Sequence, residues 1–146
     1  MRDILLLDDE ALVLRSLKRL LARQPDWNVE AFEDPYLALR RLQAKSFDVV
    51  ISDYRMPLMD GAAFLSEVYR LQPRTMRLIL SAHADRDALV TAVNEARIFR
   101  FMEKPWSEPD LLAVLEEAFA ARDEILEDQM LAREARRARS ENCPGS

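Results

Sequence analysis

Apolar residues recur along this chain in two alternating rhythms. Short runs stand at Ile4 to Leu7, Trp27 to Phe32, Phe47 to Ser52, Met76 to Leu80 and Phe99 to Met102, each bounded by polar or turn-forming residues. Runs of this length read as strands, and those with little polar alternation read as strands covered on both faces. Between them the apolar positions fall three and four apart. Glu10 to Arg23 carries Leu14, Leu17, Leu20 and Leu21, and Tyr36 to Gln43 is a shorter stretch of the same kind. Asp60 to Leu71 offers Ala62, Phe64, Leu65 and Val68, and Asp85 to Ala96 offers Leu89, Val90 and Val93. That spacing predicts helices with one face turned inward.

The punctuation agrees with this reading. Asp8-Asp9 can cap the first helix and Pro25-Asp26 breaks it; Asp34-Pro35 pairs a capping residue with proline at the first helical position; Asp60 caps the third helix and Pro73 closes it. Strands that alternate with helices are joined by right-handed crossovers, which yields a parallel sheet with helices on both faces. The expected fold is α/β, a doubly wound five-stranded parallel sheet in the order 2-1-3-4-5, flavodoxin-like, with an extended C-terminal helix.

That last helix departs from the pattern. From Glu108-Pro109 no breaker occurs until Pro144, which predicts roughly 30 helical residues, about twice what covers a small sheet. Leu111, Leu112, Leu115 and Phe119 serve the core, while Ile125, Leu126, Met130 and Leu131 lie beyond it. Acidic residues come first there (Asp123, Glu124, Glu127, Asp128) and arginines later (Arg133, Arg136, Arg137, Arg139). Arg122 and Gln129 interrupt a strict heptad, so a dimer stalk, a linker to an output domain and a frayed tail all stay open, in that order. The expected division is a domain over residues 1–120 and a helical extension over 121–146 that ends in a disordered tail.

Composition narrows the function classes. A net charge of -5 and a pI near 5.0 argue against direct nucleic-acid binding by this chain. One cysteine, Cys143, excludes an internal disulfide, and one histidine, His83, leaves too few soft ligands for structural zinc. No run approaches a membrane span and the start carries no signal-peptide pattern, so the expected compartment is the cytoplasm. With only Gly61 and Gly145, neither a dinucleotide fingerprint nor a P-loop can be built.

The candidate chemistry sits where apolar runs stop. Asp8 and Asp9 follow the first strand and Asp53 ends the third, and in the expected strand order these neighbours meet at the switch point with Ser81 and Lys104. Converging carboxylates repel one another unless a hard divalent cation holds them ionised, and Mg2+ suits such a set. Asp9 and Asp53 are the expected direct ligands, with Asp8 acting through water. A carboxylate can also attack phosphorus to form an aspartyl phosphate. Asp53 is then the nucleophile, with the Lys104 ammonium and the Ser81 hydroxyl against phosphoryl oxygens. Taken one at a time these residues are ordinary: Asp8 and Asp53 as helix caps, Ser81 as a turn residue, Lys104 as a solvated cation, Phe101 as core, Trp106 as cover for the end of the sheet. Only their joint placement points to a site.

The ordered set Asp8-Asp9-Glu10, Asp53 with Met56-Pro57 and Asp60-Gly61, Ser81-Ala82 and Lys104-Pro105, over roughly residues 1–120, resembles the receiver domain of two-component response regulators. The resemblance implies Mg2+-dependent phosphoryl transfer to Asp53 from a histidine kinase or phosphotransfer protein, followed by self-dephosphorylation. The metal would be held by Asp8, Asp9, Asp53 and the Arg55 backbone carbonyl. It further implies a switch in which Ser81 moves toward the phosphoryl group and Phe101 turns inward, changing the surface of helix 4, strand 5 and helix 5. A homodimer through that surface or through the C-terminal helix, and an output domain or partner protein, are the implied partners. Arg55 and His83 stand where the family controls water access to the phosphoryl group, and a long Arg55 is expected to shield it. Two other classes remain as alternatives: a small-molecule phosphohydrolase with an aspartate nucleophile, which the adjacency of Asp8 and Asp9 disfavours, and a receiver-like interaction domain that is never phosphorylated.

Overall fold

Five parallel strands form one sheet in the order β2-β1-β3-β4-β5 in the computed structural model, which describes residues 1–82 and 86–141. The strands are β1 (Arg2–Leu7), β2 (Trp27–Phe32), β3 (Val49–Asp53), β4 (Met76–Ser81) and β5 (Arg100–Glu103). The helices are α1 (Ala11–Leu21), α2 (Pro35–Ala44), α3 (Gly61–Leu71), α4 (Arg86–Ala96) and α5 (Glu108–Glu141). The expected strand order is therefore observed, with element ends shifted by a residue or two. His83, Asp85 and Cys143 lie outside the described residues.

Burial on both sides explains why the central strands read as continuous apolar runs. Ile4, Leu6, Val49, Ile51, Leu78 and Leu80 pack on one side of the sheet with α1 and α5, where Phe119 meets Trp27 edge to face at 5.2 Å. Leu5, Leu7, Val50 and Ile79 pack on the other side with Phe64, Leu65 and Val68 of α3. The caps at Asp34 and Asp60 form as expected, accepting from the N–H groups of Tyr36 at 2.8 Å and Ala63 at 2.7 Å. The cap of α1 does not. Glu10 is its N-cap and has no side-chain cap bond, because Asp8 is turned to other partners.

Two further expectations are corrected. Val90 and Val93 do not face inward: they are 66% and 37% exposed, whereas Ala96 is fully buried. A helix turns about 100° per residue, so a face centred on Ala96 leaves Val93 about 60° off and Val90 about 120° off that face. The side chain of Leu89 lies outside the described residues. Phe101, read singly as core, is 39% exposed, because β5 is a short edge strand whose outer flank is left open near α4.

Charged groups at the amino end of the sheet are paired. Lys45 reaches Asp3 and Glu30, each at 3.0 Å, and Arg41 reaches Glu30 at 2.8 Å. Arg122 reaches Asp48 at 2.9 Å, and the Arg2 guanidinium makes two bonds of 2.8 and 2.7 Å to Asp123, tying α5 to β1. Buried Arg77 on β4 donates to the carbonyls of Thr75, Ala96 and Arg97 and stacks 4.8 Å from the Tyr69 ring, which anchors the C-terminal end of α4. Past Leu126 every described residue of α5 is exposed, so the helix runs on unbroken beyond the sheet.

Candidate functional site

Three strands end at one pocket. β1 delivers Asp8 and Asp9, β3 delivers Asp53, and a carboxylate oxygen of each lies within 4.8 Å of the others. Asp8 and Asp53 are buried and Asp9 is exposed. Beyond β5, Lys104 enters with its ammonium 3.0 Å from Asp8 Oδ2 and 3.2 Å from Asp53 Oδ1. Its position is set by its own backbone N–H, which donates to the Ser81 carbonyl at 2.8 Å. The strand order, and not proximity in sequence, makes this cluster.

The Lys104 ammonium does not offset the burial and mutual repulsion of Asp8 and Asp53. Burial and the neighbouring Asp8 charge push the Asp53 carboxyl up to about 6 from 3.8, even though Lys104 pulls it down. Burial works against the charge of Lys104, yet its bonds to Asp8 and Asp53 raise its pKa on balance, so the lysine stays cationic. Asp8 is fully engaged: Oδ2 accepts from Lys104 and Oδ1 accepts from the Glu10 backbone N–H at 2.9 Å. That explains both its burial and its failure to cap α1.

Ser81 is fully buried at the end of β4, and its Oγ has no hydrogen-bond partner among the described residues. An unpaired buried hydroxyl costs free energy on the order of 1–3 kcal/mol unless a ligand satisfies it. Arg55 is exposed two residues after Asp53, and Phe101 stands at the rim of a cavity of about 250 Å³ bounded also by Val93, Ile98, Phe99 and Arg100.

Two residues have roles that the sequence reading did not assign. Gly61 starts α3 against the floor of the pocket: its N–H donates to Tyr54 O at 2.7 Å, and a Cβ there would collide with the Asp53 carbonyl oxygen and lie 2.9 Å from Tyr54 Cα. Its place directly after the capping Asp60 was the available signal. Arg77 was read as part of an apolar strand, although a charge inside the run Met76-Arg77-Leu78-Ile79-Leu80 signals a buried partner set.

The model of the response regulator receiver domain matches residues 4–116. Among curated proteins, the DNA-binding transcriptional regulator NtrC of Escherichia coli K12 is 34% identical over 113 residues, covering 77% of this chain and 24% of NtrC. The hydrogenase transcriptional regulatory protein HoxA of Bradyrhizobium diazoefficiens is 30% identical over 115 residues, covering 79% of this chain and 23% of HoxA. The chain thus spans about a quarter of the length of these relatives. Among solved structures, the signal receiver domain of an HD domain-containing protein from Pseudomonas fluorescens Pf-5 superposes with a TM-score of 0.82 at 32% identity, covering 86% of this chain and 92% of that one.

Proposed function

This chain belongs to the response regulator receiver domain family, and from that premise we propose that Asp53 accepts a phosphoryl group from a histidine kinase or phosphotransfer protein. The observation that carries the proposal is the Lys104 ammonium between Asp8 and Asp53, beside an exposed Asp9 and a Ser81 hydroxyl that has no partner among the described residues. An Asp53 oxygen attacks the phosphorus of the donor phosphohistidine; the O–P bond forms as the N–P bond breaks, and the imidazole leaves with its electron pair. Lys104 offers charge to the phosphoryl oxygens, and Ser81 a hydroxyl donor. These interactions grow as charge shifts onto the transferring group.

The donor set fits Mg2+: hard oxygens from three converging carboxylates and an exposed face that leaves room for waters. When bound, the ion neutralises carboxylate and phosphoryl charge. Asp9 and Asp53 would hold it directly, with the Arg55 carbonyl. Asp8, whose oxygens already accept from Lys104 and Glu10, would act through water. The outward Phe101 and the cavity beside it leave space for the inward turn of the switch. Residues 1–120 form the receiver unit and the rest of α5 an extension, working in the cytoplasm with an output domain or partner protein. No helix among the described residues is long and apolar enough to cross a membrane. Homodimerisation through the surface of α4, β5 and α5, or through the α5 extension, completes the proposal.

Incubation with Mg2+ and a small phosphodonor, followed by intact-mass measurement, tests this reading. One phosphoryl group per chain on the native protein and none on Asp53→Asn is the expected result. Sustained turnover of phosphate esters would make the protein a phosphohydrolase, and absence of any adduct would make it an unphosphorylated interaction domain. Decay of the adduct after donor removal reads self-dephosphorylation; an unchanged decay in Arg55→Ala would take Arg55 out of the shielding role.

A further inference from the structure

The α5 extension carries its charges in an order that a solitary helix disfavours. None of Asp123, Glu124, Glu127 and Asp128 has a lysine or arginine three or four residues away in either direction. Their neighbours at that spacing are one another: Asp123 with Glu127, and Glu124 with Glu127 and Asp128. The arginines repeat the arrangement in part, Arg133 with Arg136 and Arg137, and Arg136 with Arg139, while Arg137 alone also has acids at that spacing, Glu134 and Glu141. Like charges at these spacings destabilise a helix by roughly 0.2–0.5 kcal/mol per pair.

Beyond Asp123, nothing described in the molecule relieves the acidic block. Arg2 holds Asp123, but Glu124, Glu127 and Asp128 have no ion-pair partner among the described residues, and the four arginines have none either. The helix dipole favours the arginines near the C-terminal end, whereas the acidic block lies mid-helix, where the dipole offers no compensation. Between the two blocks stand Met130 and Leu131, 55% and 53% exposed on a helix otherwise polar at this height.

We propose that this extension pairs antiparallel with the same segment of a second copy of the chain. The proposal rests on the reading of α5 as a self-association element and specifies its orientation. A parallel copy sets acid over acid and arginine over arginine. An antiparallel copy brings Met130 and Leu131 of both chains together at the two-fold axis and sets Glu124 at the height of Arg137 and Asp128 at that of Arg133, with Glu127 and Glu134 the one like-charged level. An unrelated partner would need the reverse of this pattern; the helix run backwards already carries it. The two receiver units then sit at opposite ends of a shared rod, which leaves the face bearing Val90, Val93 and Phe101 open on each.

Sedimentation and spin-label distances on the full chain test the proposal. Native protein should form dimers that weaken as salt is raised. Glu124→Lys/Glu127→Lys/Asp128→Lys should abolish the dimer while Asp53 still accepts a phosphoryl group, which shows that the fold survives. In a Cys143→Ser background, a single label at position 124 should give an inter-copy distance of about 20 Å or more, from the 1.5 Å rise over twice its separation from the axis, while a label at 131 gives a much shorter one. Equal short distances at both positions mean a parallel stalk, which overturns this orientation and leaves the self-association reading intact. A monomer at all concentrations, or a dimer indifferent to the charge reversal, overturns both. Phosphoryl acceptance is read separately by mass in the same samples.

Discussion

The two ends of one sheet handle charge in opposite ways. At the amino end Asp3 and Glu30 meet Lys45 and Arg41, and Asp48 meets Arg122, so that each carboxylate has a cation in reach. At the carboxyl end three carboxylates converge, and Lys104 reaches two of them, Asp8 and Asp53. The pKa shifts follow. At the amino end, burial works against ionised Asp3, but Asn28 and Lys45 outweigh it and its pKa falls; Arg41 lowers that of Glu30. At the carboxyl end, burial and Asp8 raise that of Asp53. A surplus of like charge stabilises nothing in the resting fold; it is free energy that a bound cation can recover.

The largest break in that contrast comes from removing Lys104, the cation that pairs with both Asp8 and Asp53. Lys104→Met leaves buried Asp8 and Asp53 without their shared partner, and the rate of phosphoryl acceptance should fall about 100-fold or more, read by intact mass over time. A rate within a few-fold of native would remove Lys104 from the transfer.

A smaller effect separates the two ends by the sign of their pH dependence. Asp53 holds its proton more tightly folded than unfolded, so metal-free protein should lose stability as pH rises from 3.8 to about 6, by about 3 kcal/mol at most. Asp3 and Glu30 act oppositely. Their lowered pKa values give stability that is present above the ordinary carboxylate range and lost as pH falls through the lowered values. Denaturant titrations across pH should therefore show a fall in stability between pH 4 and 6 that Asp53→Asn removes and saturating Mg2+ reverses. A pH profile identical in native protein and Asp53→Asn would deny the charge surplus.

The smallest effect belongs to the amino end. Lys45→Met breaks pairs with Asp3 and Glu30 that are partly open to solvent, and should cost under about 1 kcal/mol while phosphoryl acceptance stays at the native rate. Impaired transfer in this variant would tie the two ends together.

Much of this contrast was legible before folding was considered. The alternation of apolar runs with helical spacing gave the strand order, and acidic residues at the ends of the first and third runs marked the pocket, since buried parallel strands need uninterrupted apolar residues and place polar ones at their ends. The phase of α4 was not legible. Val90 and Val93 are as apolar as any core pair, and only the burial of Ala96, fixed by how the helix meets α3 and by the Arg77 anchor at its end, turned them outward. Phe101 was misread for a related reason: a strand aromatic is half buried only if something covers its face, and an edge strand lacks that cover.

By itself, the sequence determined the type and order of the elements and the residues able to do chemistry, because local periodicity and strand ends are written in consecutive positions. Tertiary structure alone decided how those residues divide the work. That Asp8 is occupied by Lys104 and Glu10, that Asp53 is held less acidic than Asp3 or Glu30, and that the Ser81 hydroxyl has no partner among the described residues are consequences of distance and burial between segments far apart in the chain. Electrostatic interaction depends on separation in space and on exclusion of water, and neither quantity exists until the strands are side by side.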